Sequence, residues 1–436
     1  MIDAPLVDDS PAVGKKQPLS REARKGLQAL GLGNALEWYD WMVFGLLSAF
    51  IGPKFFPSEE PLSATLDALA VFAVGFAFRP LGGILLGTLA DRLGRRRIML
   101  LSILMMAATT LVIAFCPTYE EIGMFAGVIL IVCRIIQGIS TGVEAPLSTT
   151  HAVELVPDGR EGLVAGVMGF YVNIGILLAS LVSFLSSLML GGAVMADWGW
   201  RVPFIIGAAF GFVVVYLRRS LPETMKPEEL AANTSSRLVW QGVRKNWLGV
   251  LAIVFIVGAV QAYNYAWNVG LPSAARGAFK EDPTVVFALT TVLGVILVVG
   301  SWIIGKLADG RPMSRWFLIT RALAIPSVFL MLFYNEPGLG GFAVVLLGGS
   351  IILVLNMTLY NVVSTSLMPK SCRGAGVSLG YGIGVALFGG TASYLLVWLQ
   401  SINASWIFPV YVAVLSALSI IFYVLARRRN GLFVGK

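Results

Sequence analysis

The sequence predicts an all-α membrane protein of twelve transmembrane helices in two six-helix bundles, with both termini in the cytoplasm (N-in/C-in). Three observations predict it. First, 57% of the 436 residues are hydrophobic and only 13% are charged, whereas a soluble domain carries about a quarter charged residues. Mean hydropathy is +0.81, and twelve apolar stretches reach spanning length. They lack the alternating ten-residue pattern of barrel strands. Second, with both termini inside, 25 of the 32 Lys and Arg fall in inside segments, and only Lys54, Arg201, Arg276 and Lys280 fall outside. Such a bias sets the orientation. Third, the chain repeats itself. Gly87-Thr-Leu-Ala-Asp91 matches Gly305-Lys-Leu-Ala-Asp309, and Leu155-Val-Pro157-Asp-Gly-Arg160 matches Leu367-Met-Pro369-Lys-Ser-Cys-Arg373, at nearly one offset.

Residues 1–26 form a polar tail without the apolar core and cleavage site of a secretory signal. The first bundle covers 27–219, with spans near 27–52, 64–90, 98–116, 121–148, 162–190 and 202–219. Span 2 runs from Arg79-Pro80 into a basic turn, Asp91-Arg92-Leu-Gly94-Arg95-Arg96-Arg97. Its arginines stay on the inside. Gly87 and Gly94 permit close backbone approach, and Asp91 can cap or pair with a neighbouring helix end. Residues 220–245 are polar, hold Pro222 and Pro227, and end on Arg244-Lys245, so they read as a cytoplasmic linker. The second bundle covers 246–426, with spans near 247–273, 284–308, 316–334, 340–367, 374–400 and 405–426, and 427–436 is a cytoplasmic tail. In it Gly310-Arg311-Pro312 follows Asp309 directly, so the second copy of the basic turn is degenerate.

Ionisable groups inside spans cost about 2.5–3.5 kcal/mol each on insertion scales and therefore have a function by default. Glu37 and Asp40 are three residues apart on one helix face. Counted at ~1.5 Å per residue, Asp40 lies ~20 Å and Arg134 ~21 Å from the inner ends of spans 1 and 4. An acid beside an arginine at one depth suits proton coupling, because the acid is ionised while paired and takes a proton when the arginine is drawn away. A permanent ion pair that only fixes helix packing is the alternative. Arg79 precedes Pro80 and can brace a distortion of span 2. Arg321, near the start of span 9, is expected to snorkel to the inner interface. The second bundle offers neutral groups instead. Gln261, Asn264, Tyr265 and Asn268 share one face of span 7, beside Tyr263; Asn356 and Tyr360 lie on one stripe of span 10. These can bind a solute's oxygens or hydrogen-bond between helices.

The string from Arg79 to Arg97 resembles the signature loop between helices 2 and 3 of the major facilitator superfamily. Gly33-Asn34-Ala-Leu-Glu37-Trp38-Tyr39-Asp40-Trp41 is similar to the helix 1 signature of its metabolite:proton symporters, which include α-ketoglutarate, citrate, shikimate and proline/betaine permeases. Phe78-Arg79-Pro80-Leu81-Gly82-Gly83, Arg134-Ile-Ile-Gln137-Gly138, Asp197-Trp198-Gly199-Trp200-Arg201 and Phe388-Gly389-Gly390 match as well. The chain departs from the pattern at Gly142-Val143-Glu144, where the family has Gly-Gly-Glu.

The resemblance implies a monomeric transporter in the bacterial inner membrane, with a midplane site between parallel halves. The expected function is proton-coupled symport of a small organic acid by alternating access. A zwitterionic osmolyte is the alternative substrate; a proton antiporter and a non-transporting sensor are weaker readings. Asp40 and Glu37 are the expected proton sites. Arg134, Gln261, Tyr263, Asn264, Tyr265, Asn268, Asn356 and Tyr360 are the expected substrate contacts. Gly87, Asp91, Arg92, Gly94, Arg95, Arg96, Glu144 and Arg79 are the expected gate, with Glu154 and Arg160 as further members or plain loop residues. No enzymatic chemistry, metal or cofactor is expected. His151 is the sole histidine, and Cys116, Cys133 and Cys372 are scattered. Gly300–Leu307 fails as a phosphate loop, since Leu307 stands where Ser or Thr is needed. An ion gradient then supplies the energy. The basic residues lie scattered along one side, which offers no nucleic-acid surface.

Overall fold

The computed structural model describes residues 18–93, 95–142, 148–149, 151–153, 155–157, 159–218 and 236–433. Each of the twelve apolar stretches falls on a helix. These are α1 Arg21–Leu46, α2 Leu62–Leu86, α3 Arg97–Phe115, α4 Phe125–Thr141, α5 Glu161–Gly199 and α6 Arg201–Tyr216, then α7 Trp247–Gly277, α8 Pro283–Ala308, α9 Met313–Phe333, α10 Leu339–Ser366, α11 Lys370–Ser401 and α12 Ile407–Asn430. Among the described residues nine are long and apolar enough to cross a membrane, and α4 and α6 are shorter apolar helices. The middle of α1 carries Asn34, Glu37 and Asp40, which lower its hydropathy, and all three are buried in protein.

Local chemistry explains the ends and breaks. Ser20 caps α1, its hydroxyl accepting from Ala23 N at 3.0 Å. That cap starts the helix at Arg21, six residues before the apolar stretch begins. At Leu47 the helix turns (φ −92, ψ 5) and resumes as Ser48–Phe55. In α7 a π turn at Ala266–Gly270 precedes Pro272. Proline has no N–H to give the previous turn, and a widened turn absorbs the mismatch. α11 has a similar π turn at Val385–Gly389. Pro326 in α9 is followed by a 3-10 turn, Val328–Phe333. The last part of the linker, Ser236–Lys245, is helical; residues 220–235 lie outside the described residues.

The longest contacts between the halves run along two helix pairs. α5 lies against α8 along its length. Gly166 and Gly305 face each other so closely that a Cβ on Gly166 would fall 2.6 Å from the Gly305 Cα. Further along, Asn173 Nδ2 donates to the Leu297 carbonyl at 3.1 Å, and the Ser187 and Thr284 hydroxyls meet at 2.9 Å. α2 lies against α11, where a Cβ on Gly390 would fall 2.6 Å from the Phe76 Cβ. In the internal repeat α2 corresponds to α8 and α5 to α11, so the two seams are the same junction used twice. Between them stands an aromatic column. Trp41 packs on Phe76 (4.1 Å between centroids), Phe76 on Tyr265 (5.0 Å), and Tyr265 stacks on Trp38 (5.9 Å).

Candidate functional site

Two carboxylate–arginine pairs lie one turn apart on α1. Asp40 pairs with Arg134 of α4 at 3.4 Å, and Glu37 pairs with Arg79 of α2 at 3.3 Å. Asp40, Glu37 and Arg79 are each 2% exposed and Arg134 is fully buried. Both cations lie against the ring of Trp41, the Arg79 guanidinium carbon 4.5 Å and that of Arg134 5.4 Å from its centroid. Arg79 also lies over Phe76 at 4.5 Å, and Arg134 over Phe44 at 3.7 Å. Cation–π contact of this kind holds a guanidinium where water is scarce.

The two pairs have different neighbours. Asp40 is enclosed by its own half. The Thr110 hydroxyl of α3 donates to Asp40 Oδ1, yet it also lies 2.8 Å from the Met106 carbonyl and accepts from Gln137 Nε2 at 3.0 Å. A hydroxyl has one proton and turns freely. It can donate to an ionised Asp40, or donate to Met106 while accepting from a protonated Asp40. Glu37 and Arg79 face the second half. Tyr381 of α11 hydrogen-bonds both Tyr360 and Arg79, and Tyr265 of α7 packs on Phe76, the ring that Arg79 lies over. From Tyr360 a chain of amides runs along α7. Gln261 Nε2 donates to Tyr360 Oη (2.9 Å), Asn264 Nδ2 to Gln261 Oε1 (3.3 Å), and Asn268 Nδ2 to Asn264 Oδ1 (2.9 Å).

The structure thus brings Glu37, Arg79, Gln261, Asn264, Tyr265, Asn268 and Tyr360 around one seam. It does not bring Tyr263 or Asn356 there. Tyr263 Oη hydrogen-bonds the Gly349 carbonyl at 3.2 Å, and Asn356 Nδ2 donates to the Thr320 carbonyl at 3.1 Å, both inside the second half. Arg79, grouped with the gate on the sequence, lies at the centre with Glu37. The expectation for Arg321 is overturned. It is 1% exposed and points inward, donating to the Ile256 carbonyl at 3.3 Å, because its face of α9, with Phe317, Thr320 and Ala324, is the buried one. Of the gate residues, Gly94, Glu144 and Glu154 lie outside the described residues, and the side chains at Gly87, Asp91, Arg92, Arg95 and Arg96 lie outside them too.

Each end of the seam has a clasp; the sequence reading held Arg160 as a possible gate member but missed its partner Asp309 and the whole of the opposite clasp. At the end carrying the termini, Arg160 Nε meets Asp309 Oδ2 at 3.1 Å, and Asp309 Oδ1 accepts from Leu163 N at 3.3 Å in the first turn of α5. A carboxylate at a helix N-terminus is favoured by the unpaired N–H groups there. At the opposite end, the α1 carbonyls freed by the break at Leu47 are taken by α7. Ser273 Oγ donates to the Gly45 carbonyl at 3.3 Å, and Arg276 Nη1 to the Leu46 carbonyl at 2.8 Å. Both ends are therefore closed over the centre.

The match to known proteins agrees with this architecture. The model for the Major Facilitator Superfamily matches residues 30–380. A putative proline/betaine transporter of Staphylococcus aureus (strain MSSA476) is 30% identical over 416 residues, covering 92% of this chain and 87% of that protein. The alpha-ketoglutarate permease of Escherichia coli (strain K12) is 30% identical over 402 residues, covering 91% and 92%. Among solved structures, a proton:xylose symporter bound to 6-bromo-6-deoxy-D-glucose has a TM-score of 0.75 at 16% identity, covering 95% of this chain and 97% of that one. That likeness is one of fold. With nine helices among the described residues long and apolar enough to cross a membrane, a family model matching most of the chain and relatives that are permeases, the chain is an integral membrane transporter and belongs to the Major Facilitator Superfamily.

Proposed function

We propose that this transporter takes up a small carboxylate-bearing solute together with a proton, by alternating access with both termini in the cytoplasm. The observation that carries the reading is the surrounding of Asp40: a buried carboxylate with one guanidinium partner and a hydroxyl rotor able to serve either protonation state. The names of the relatives fit it. Alpha-ketoglutarate, proline and betaine share a carboxylate.

Asp40 takes the proton when water reaches it from outside. Loss of its charge loosens Arg134, whose Nε and Nη2 have no hydrogen-bond partner among the described residues. Arg134 shares Trp41 with Arg79, so its movement is felt at the central pair. The clasps at Asp309–Arg160 and at Ser273–Arg276 open in turn. The repeat gives Asp91 the position in α2 that Asp309 holds after α8, so Asp91 would serve the α2–α11 seam as Asp309 serves the α5–α8 seam.

Asp40→Asn tests the reading in proteoliposomes. Acid-driven accumulation should vanish while counterflow exchange persists, since the variant keeps a hydrogen-bonding group but cannot titrate. Undiminished accumulation would refute the assignment.

A further inference from the structure

We infer that Gly431–Phe433, the residues after α12, are a strap that holds the inner face shut. They lie over the end of α10 and cover the place where it meets the start of α5 in the other half. The inference goes beyond the proposed transport function. It rests on alternating access, and on neither the proton site nor the substrate.

The turn that starts the strap follows from one residue. α12 ends at Asn430, and Gly431 has φ 73, in the left-handed region that glycine enters without strain. Its N–H donates to the Arg427 carbonyl at 2.9 Å, which closes the helix. Two residues on, Phe433 N donates to the Ser366 carbonyl at 2.9 Å. Ser366 is the last residue of α10, and the last carbonyls of a helix have no partner within it. The two before it are taken by the chain that follows, Ser364 by Leu367 N at 3.2 Å and Thr365 by Met368 N at 3.4 Å. The next donor in that series would be residue 369, a proline, which has no N–H. The strap supplies the missing donor.

Leu432 joins the strap to the other half. It is partly buried and packs against the main apolar core. It lines one small cavity with Val363 and Ser366 of α10, Met313 of α9, Tyr423 of α12 and Glu161 of α5. Glu161 alone among these comes from the first half, and it is 7% exposed. Its neighbours in sequence form the inner clasp. Arg160 holds Asp309, and a Cβ on Gly162 would fall 2.3 Å from Asp309 N. The cavity therefore adjoins the clasp, and its wall is complete only while the clasp is closed. When the inner face opens, α5 withdraws Glu161 and water reaches Leu432. Exposure of apolar surface opposes that step. A tail that served only the packing of the second half would not reach the first turn of α5.

Cysteine labelling of the full-length protein in inside-out membrane vesicles gives the test. Ser301→Cys, with Cys116, Cys133 and Cys372 replaced by serine, reports inner opening, because the Ser301 Cβ lies 3.4 Å from where a Cβ on Gly169 would stand across the α5–α8 seam. N-ethylmaleimide is the probe. Leu432→Ser removes the apolar contact, and Phe433→Pro removes the donor to Ser366. Each should speed labelling about fivefold, the equivalent of ~1 kcal/mol. Leu432→Met keeps the apolar contact, and Phe433→Ala keeps the N–H while deleting an exposed ring. Both should label at the wild-type rate. A lower melting temperature without faster labelling in Leu432→Ser and Phe433→Pro would overturn the inference and leave the tail as packing of the second half. Labelling unchanged in those two variants while Asp309→Asn speeds it would also overturn the strap, and would leave alternating access standing.

Discussion

The two acids of α1 are three residues apart, yet they live in different mechanical settings. Among the described residues, every hydrogen-bond and ion-pair partner of Asp40 comes from the first half: Thr110 on α3 and Arg134 on α4, with Gln137 behind them. When the halves rock, that set moves as one unit. The neighbours of the Glu37–Arg79 pair are divided: Glu37 holds Arg79 on α2, while Arg79 meets Tyr381 of α11 and shares Phe76 with Tyr265 of α7. Its surroundings change whenever the seam opens. The lesson concerns division of labour. A proton site needs an environment that survives the conformational change, so that only access to water alters. A substrate site that drives the change has to be split across the moving boundary. Trp41, which both guanidiniums touch, is the part common to both.

The comparison breaks most visibly at Arg134. Arg134→Ala leaves Asp40 buried without its cation, which should cost about 3–5 kcal/mol of stability and abolish uptake. Arg134→Lys keeps the charge but loses the planar face that lies over Phe44 at 3.7 Å. It should restore most of the thermal stability and little of the transport. Melting temperatures and uptake rates of the two variants check this. Equal, wild-type stability in both would mean that the pair is solvated and the enclosed setting is wrong.

Thr110 gives the next largest effect. Thr110→Val removes the rotor with almost no change of volume, whereas Thr110→Ser retains it. Uphill uptake should fall about tenfold in the valine variant, the value of one buried hydrogen bond of ~1.4 kcal/mol, and be near normal in the serine variant. Substrate affinity should be unaffected in both, because no atom of Thr110 belongs to the seam. A drop in affinity equal to the drop in uptake would join the two sites that the comparison separates.

The twelve helices, the repeat and the depth of Asp40 and Arg134 were legible because they follow from apolar length and a fixed rise per residue. The same count applied to Arg79, fourteen residues from Leu93, where the helical turns that continue α2 end, gives ~21 Å and the same depth as Asp40. The adjacent Pro80 and the basic turn beyond it drew that residue toward the gate instead. Tyr381 was passed over because it sits in a run of glycines that reads as helix packing. Tyr263 and Asn356 were included because periodicity gives a helix face but not which neighbour the face meets. The clasps were out of reach for another reason. The acceptors of Ser273 and Arg276 are backbone carbonyls exposed by the break at Leu47, and backbone groups have no sequence signature. Asp309 did carry a signal, the repeated Gly-x-Leu-Ala-Asp, but the missing arginines after it concealed that the carboxylate alone can hold a helix N-terminus.

The smallest predicted effect lies at the ends of the seam, and it sharpens the comparison further. Asp309→Asn keeps an oxygen for Leu163 N but gives up the charge that holds Arg160. The pair is only partly shielded from water, so its loss should be worth about 1 kcal/mol or less, a few-fold shift between closed and open populations. A single cysteine at Ser301, whose side chain faces Gly169 across the α5–α8 seam, reports that shift once Cys116, Cys133 and Cys372 are replaced. Its labelling from the cytoplasmic side should rise a few-fold in Asp309→Asn. Substrate affinity should weaken by a similar factor, because the split site around Glu37 is assembled only when the seam is shut. The enclosed Asp40 set should not respond: downhill proton flux driven by saturating substrate should keep its wild-type stoichiometry. Faster labelling with unchanged affinity would show that Glu37 and Arg79 bind without help from the second half. Changed stoichiometry would show that the Asp40 set does not move as a unit.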